Sequence, residues 1–200
     1  QTLGMDLRAA ASHSTMAAFV THCLGFAALE GWHAPAILVE DCCEALGAQV
    51  GDRKLGTIGL MSNFSFYYAH HMSTIEGGMI CTDDERVYEM LRMLRAHGLV
   101  REMRNPAYRQ AAHEASPDLD PQFIFTHPAY NMRPIEVQAV IGRAQLKRVD
   151  YGNAKRTSNL VAFLGGLDPA RYRTRYRLEG SSNYALPLVL QEPHEGLMAQ

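Results

Sequence analysis

The chain has 200 residues, 47% of them hydrophobic, with 19 basic and 21 acidic side chains and a formal net charge of −2. This is enough apolar material for a sizeable core in one or two domains. The near-balance of charge, with no long run of one sign, argues against a nucleic-acid groove or a basic membrane face.

The four cysteines, Cys23, Cys42, Cys43 and Cys81, form no Cys-x-x-Cys pair. That spacing disfavours a zinc site or a disulfide framework and suits thiols in a reducing compartment. With no signal-peptide pattern and no apolar run of about 18 residues, the chain reads as soluble and cytoplasmic.

After a weakly patterned lead-in, Met16 to Gly25 reads as a buried strand ending at the glycine, and "FAALEGWH" as a helical turn or two. "AILVED" is the clearest strand, because a continuous apolar run suits a parallel strand covered on both faces. "MSNFSFYY" and "GMICT" are two further strands. The segment 83–97 predicts a helix opened by acidic residues, striped by Val87, Leu91 and Leu94, and stopped at Gly98. Residues 99–128 read as a long irregular excursion, functional or covered by a partner. "RPIEVQAVIGRAQLKRV" resumes helix with Pro134 at an early position. A further helix runs from Tyr151 to about Leu164, and "SSNYALPLVL" begins a last strand. There is no internal repeat.

Strand–helix alternation predicts an α/β chain, and ligands of such sheets sit beyond the carboxyl ends of the strands. Asp41, His70 and the Glu76-Gly77-Gly78 turn then fall near one rim. Asp41 at a strand end either caps the next segment or pairs with the pyridine nitrogen of a bound pyridoxal phosphate. Ser65 is either bonded to backbone or a phosphate ligand.

Five motifs in order, "VEDCCEALGA", "KLGTIGLMSNFSF", "HHMSTIEGGMICTDDE", "LRAHG" and "PAYNMRPIEVQAVIGRAQLKR", resemble the DegT-type sugar aminotransferases. The resemblance is strong over residues 36–150 and weaker over 17–35 and 180–190. It implies a fold-type-I, aspartate aminotransferase-like large domain, a mostly parallel sheet flanked by helices. That domain would be incomplete within residues 1–150, with a linker helix and the start of a C-terminal small domain in 151–200. The family's N-terminal phosphate-binding turn and ring-stacking aromatic have no counterpart, so the chain is expected to be a fragment, a truncated gene product or a decayed relative.

Six positions before the Glu-Gly-Gly, the family usually carries the lysine that holds the cofactor as a Schiff base. Here that position is His70, and a His-His pair resembles the 3-dehydratase branch. The resemblance implies removal of the C3 hydroxyl of a nucleotide-linked 4-keto-6-deoxy sugar, GDP-linked by preference. The cofactor would be pyridoxal 5′-phosphate or its pyridoxamine form, with glutamate as amino donor. An imidazole with an unperturbed pKa of about 6.5 serves as a base at working pH, where lysine near about 10.4 needs tuning.

The implied roles are Asp41 at the pyridine nitrogen, Glu44 at the ring or its 3-hydroxyl, Ser65 at the phosphate, and His70 as base. Asn131 would reach the phosphate of a neighbouring subunit, which implies a homodimer with a shared site. His97 is a possible site-lining residue, and His71 an orienting, structural or site-lining one. Neighbouring residues on an extended segment point opposite ways, so the two imidazoles should not share one role. No metal is expected for want of further ligands. No iron–sulfur cluster is expected, since no cysteine follows Cys81. Met90, Met93 and Met103 read as core or spacer. An aminotransferase of the same family and a non-catalytic sugar- or partner-binding relative are the alternative readings.

Overall fold

The computed structural model describes residues 3–6, 9, 12, 15–29, 32 and 37–192. Two compact units divide the chain: residues 1–80 with 137–200, and residues 81–136.

The first unit is built on parallel strands β1 (Ala17–Thr21), β2 (Ile37–Asp41) and β5 (Met61–Ser65), with β6 (Gly78–Cys81) beside β5. A separate antiparallel ribbon joins β3 (Gln49–Val50) to β4 (Arg53–Lys54). Val20, Leu38, Cys42, Ala45, Ala48 and Leu55 form the core on one face of the sheet. Helix α4 (Val149–Gly165) brings Leu160 and Leu164 against Phe26, which stacks on Tyr176 at 5.5 Å. Full burial of each such large apolar side chain contributes about 1.5–3 kcal/mol.

Inside that core lies a carboxylate. Glu40 is fully buried, and its Oε1 accepts the backbone N–H of Ile58 and Gly59, each at 2.7 Å. Its Oε2 accepts the N–H of Gly56 at 2.8 Å and faces His22 Nε2 at 3.3 Å. His22 Nδ1 accepts the Ala28 N–H at 3.2 Å, so the ring proton sits on Nε2 and points at Glu40. Burial pulls the Glu40 pKa up, but His22 and the backbone donors outweigh it and hold the group below its usual value.

Several elements differ from their sequence expectation. The first strand stops at Thr21, and Cys23–Gly25 form a 3-10 turn with Leu24 at φ 53 and Gly25 at φ 83. This left-handed pair sends Phe26–Leu29 onward without helix; Glu30, Gly31 and His33 of that expected helix lie outside the described residues. Helix α3 (Glu136–Leu146) begins after Pro134 rather than around it. Helix α4 starts two residues before Tyr151. The expected strand at Ser181–Leu190 is reduced to a single bridge, Tyr172 to Leu190, since Pro187 has no N–H to donate to a ladder.

The second unit packs Met93, Val100 and Ile124 together. Its helix α1 (Glu85–Leu94) starts where the Asp84 carboxylate accepts the Val87 N–H at 2.9 Å. The expected irregular excursion instead contains helix α2 (Pro106–Glu114), capped by Asn105 with proline in the first turn. Buried Glu89 accepts the N–H groups of Arg104 and Asn105 at 2.8 and 2.9 Å, which fixes the entry to α2. No helix among the described residues is long and apolar enough to cross a membrane.

A third buried contact joins distant segments of the first unit. His71 Nε2 donates to the Ser182 carbonyl at 3.0 Å, and Ser182 Oγ donates to the Leu46 carbonyl at 2.7 Å. Ser182 N–H and Tyr184 N–H donate to Gly25 and Leu24. A Cβ at Gly25 would stand 1.7 Å from the Ser182 carbonyl oxygen, so only glycine admits this approach.

Two stability tests follow from these contacts. Glu40→Ala strips the acceptor from the Gly56, Ile58 and Gly59 amides and should cost about 3–5 kcal/mol, read as a lower urea midpoint, with Glu40→Gln milder. Burial, aided by nearby Arg156, pushes the His71 pKa down to about 4 despite its hydrogen bond to Ser182. The folded chain therefore refuses a proton that the unfolded chain accepts below pH ~6.5. The His71 contribution is fully present above that pH and should be lost as pH falls toward 4, by up to about 3 kcal/mol. Urea midpoints measured between neutral and acid pH should show this limb, and His71→Gln, which keeps a donor but does not titrate, should flatten it.

Candidate active site

Parallel pairing sets Thr21 opposite Asp41 and Asp41 opposite Asn63, a row of polar residues across the ends of β1, β2 and β5. Because side chains alternate along a strand, buried Glu40 points to one face of the sheet and Asp41 to the other. Asp41 Oδ1 accepts Asn63 Nδ2 at 2.8 Å and the Cys43 N–H at 3.1 Å, while Oδ2 accepts the Thr21 hydroxyl at 3.3 Å and the Cys43 thiol lies against the same carboxylate. Burial raises the Asp41 pKa; the Cys43 thiol and amide, Asn63 and Thr21 together pull it below the usual carboxylate value. The same neighbourhood acts oppositely on Cys43, whose thiol is pushed up to about 11 by burial and by Asp41. Asp41 is an anion beside a protonated thiol.

Ser65 ends β5 two residues after Asn63 and so shares its face. Its Oγ accepts the Tyr67 N–H at 3.3 Å, a local turn contact. The chain then loops back: Phe66 N–H donates to Gly77 at 2.8 Å, Thr74 N–H donates to Phe66 at 2.8 Å, and Thr74 Oγ1 donates to the Glu76 carbonyl at 2.7 Å. The Glu76-Gly77-Gly78 turn thus lies against the end of β5. Gly77 takes φ 151, and a Cβ there would meet Thr74 Oγ1 at 2.5 Å.

His70 and His71 sit inside this loop and have different surroundings. The His71 Nε2 is committed to Ser182, and its Nδ1 is buried with no hydrogen-bond partner among the described residues. His70 packs on Tyr184 at 5.1 Å between ring centroids, and its Nδ1 is likewise buried and unpartnered. Among the described residues no hydrogen bond ties its Nε2, in contrast to that of His71.

Glu44 is engaged by the fold: its Oε2 accepts the Leu24 N–H at 2.7 Å and so braces the left-handed turn. Asn131 and His97 belong to the second unit. Asn131 is exposed, pairs with Ala96 in an isolated bridge, and accepts Arg133 Nε at 3.0 Å. His97 is exposed at φ 63, with its N–H donated to the Tyr130 carbonyl at 2.7 Å.

Among the described residues, His22, Glu40 and Cys42 lie close enough to suggest a metal trio. Both His22 nitrogens and both Glu40 oxygens are already spent on the hydrogen bonds of the buried clamp. The trio is a polar core element. Sequence reasoning overlooked Thr21, Asn63 and Tyr184. Asn63 was findable, as a poor strand former placed by two-residue alternation on the face of Ser65; Thr21 and Tyr184 needed the register and the packing.

The sequence pattern of the DegT/DnrJ/EryC1/StrS aminotransferase family matches residues 9–195. The chain is 38% identical over 149 residues to GDP-4-keto-6-deoxy-D-mannose 3-dehydratase of Escherichia coli O55:H7, covering 74% of this chain and 38% of that protein. It is 35% identical over 157 residues to the Yersinia pseudotuberculosis enzyme of the same name, covering 78% and 39%. A crystal structure of GDP-4-keto-6-deoxymannose-3-dehydratase with a trapped PLP-glutamate geminal diamine superposes with a TM-score of 0.76 at 27% identity, over 97% of this chain and 53% of that one. The chain thus spans about two fifths of the length of these curated relatives. On the extent of the family match and the likeness of the fold, the chain belongs to the DegT/DnrJ/EryC1/StrS aminotransferase family, with its aspartate aminotransferase-like α/β sheet.

Proposed function

We propose that this chain is the central, cofactor-holding part of a pyridoxal phosphate-dependent sugar 3-dehydratase. It would remove the C3 hydroxyl of a GDP-linked 4-keto-6-deoxy sugar in deoxysugar synthesis. The observation that carries the reading is residue 70. Where the family's lysine would stand there is a histidine, and it is His70 rather than His71 whose Nε2 is uncommitted. The names of the Escherichia coli and Yersinia relatives support the same reaction class.

The donors and acceptors present fit the cofactor. Asp41 is held ionised with Oδ2 only lightly engaged, which suits a protonated pyridine nitrogen. The Ser65 hydroxyl, at the end of β5, would serve as a phosphate ligand. When bound in its pyridoxamine form, the cofactor supplies an amine for the sugar's keto carbon and a sink for the electrons released by proton loss. His70 is left with a single role, in which Nε2 takes up a proton at the reacting carbon while Tyr184 steadies the ring. An imidazole cannot anchor the cofactor covalently, so Asp41 and Ser65 carry more of its binding than they would beside a lysine.

Glu44, braced on Leu24, stands at the position proposed to face the ring. Asn131 would serve the phosphate of a second copy in a homodimer, with glutamate as amino donor and His97 lining the site. The domain reading of a large-domain portion to residue 150, followed by a linker helix and the start of a small domain, belongs to the same proposal, as does a cytoplasmic setting.

Turnover of GDP-4-keto-6-deoxymannose with glutamate and pyridoxal 5′-phosphate tests the assignment. His70→Ala should lower turnover about 10²–10⁴-fold, the usual worth of a general base. His70→Lys should bind the cofactor through a bond that borohydride makes permanent, visible by mass spectrometry. Undiminished turnover in His70→Ala, or no mass gain in His70→Lys, would sink the role of residue 70.

A further inference from the structure

Asparagine is a poor strand former, yet Asn63 occupies β5 between apolar and small residues, half-buried, directly opposite Asp41. Its Nδ2 carries two hydrogens and has two acceptors within reach: Asp41 Oδ1 at 2.8 Å and Cys43 Sγ at 3.1 Å. A carboxylate oxygen accepts only, which fixes the orientation of the amide with its NH₂ toward Asp41. The Cys43 N–H adds a second donor to the same Oδ1 at 3.1 Å. Oδ2 accepts the Thr21 hydroxyl at a long 3.3 Å, from an exposed residue. The carboxylate is therefore pinned by one oxygen from the strand beside it and from the turn behind it. Rotation about its last torsion, otherwise broad, is restrained.

We propose that Asn63 is the positioning residue of Asp41, fixing Oδ1 so that Oδ2 is the oxygen presented to the pyridine nitrogen of the cofactor. The inference rests on the cofactor reading given above and adds to it a residue and an atom. Asn63 touches no reacting group; its effect passes through Asp41 alone. Cys43 shares the network, and its protonated thiol bridges the asparagine and the aspartate without adding charge. Thr21 is the weaker partner, displaced or retained as Oδ2 takes up its ligand.

A double-mutant cycle with pyridoxal 5′-phosphate as the probe, binding followed by absorbance, tests the route of action. Asn63→Ala should weaken binding about tenfold or more, the usual scale for losing a hydrogen bond to a charged group. Asp41→Asn should weaken it as well, and Asn63→Ala added to Asp41→Asn should produce no further loss. An Asn63 effect that persists in full in the Asp41→Asn background would mean that the residue acts by another route, and would overturn the proposal.

A second measurement needs no cofactor. In the ligand-free protein, the ¹³C carboxyl titration of Asp41 should move to higher pH in Asn63→Ala, because a donor to the ionised form is gone. An unmoved titration would break the Asn63–Asp41 link itself. If wild-type protein takes up no pyridoxal 5′-phosphate, or Asp41→Asn binds it as well as wild type, the cofactor reading falls and the proposal with it. The carboxyl titration shows separately whether the link survives.

Discussion

The first unit depends on one buried charge. Glu40 lies in the middle strand of three parallel ones, and its carboxylate terminates backbone donors that would otherwise be stranded in an apolar core. A buried carboxylate is costly unless every lone pair is used, and here the Gly56, Ile58 and Gly59 amides and the His22 ring use them. In return, the connection between β4 and β5 is drawn against β2, and the His22 turn is drawn against β1 and β2. The strand ends that carry Thr21, Asp41 and Asn63 are then held in register. The position of the candidate site is a consequence of that clamp.

Two adjacent acids therefore have opposite lives. Glu40 looks inward and is consumed by the fold. Asp41, one residue on and facing the other side of the sheet, is held at the strand ends by Asn63, Cys43 and Thr21. A similar division separates His70 from His71. The segment around Ser182–Tyr184 makes the distinction: its carbonyl occupies the His71 ring, and its tyrosine packs on His70. A stretch 111 residues downstream of His71 thus decides which imidazole is available.

Much of the site was legible because its signals are local. "ILVED" announces a buried strand with a carboxylate at its carboxyl end. The Glu-Gly-Gly turn marks the return of the chain, and a histidine in place of lysine is a chemical statement that needs no coordinates. Glu44 shows what locality leaves out. The family resemblance implies a place beside the ring, and the structure adds that one of its oxygens accepts the amide of Leu24, whose left-handed backbone no propensity suggested. Residues 99–128 looked irregular because prolines and charges are scattered through them. Asn105 and Pro106 are in fact a helix start, and Glu89 secures it from another helix.

The amino-acid order alone determined the α/β character, the strand that ends in Asp41, and the identity of residue 70, since each is written in contiguous residues whose periodicity or chemistry acts over short range. Only the tertiary structure decided that Glu40 is a structural acid, that Asn63 and Thr21 flank Asp41, and that His71 is locked while His70 is open. Those facts depend on strand register and on hydrogen bonds between residues 16 to 136 positions apart. Such pairings are set by which buried donors and acceptors can satisfy one another, a condition on the folded whole that no local window contains.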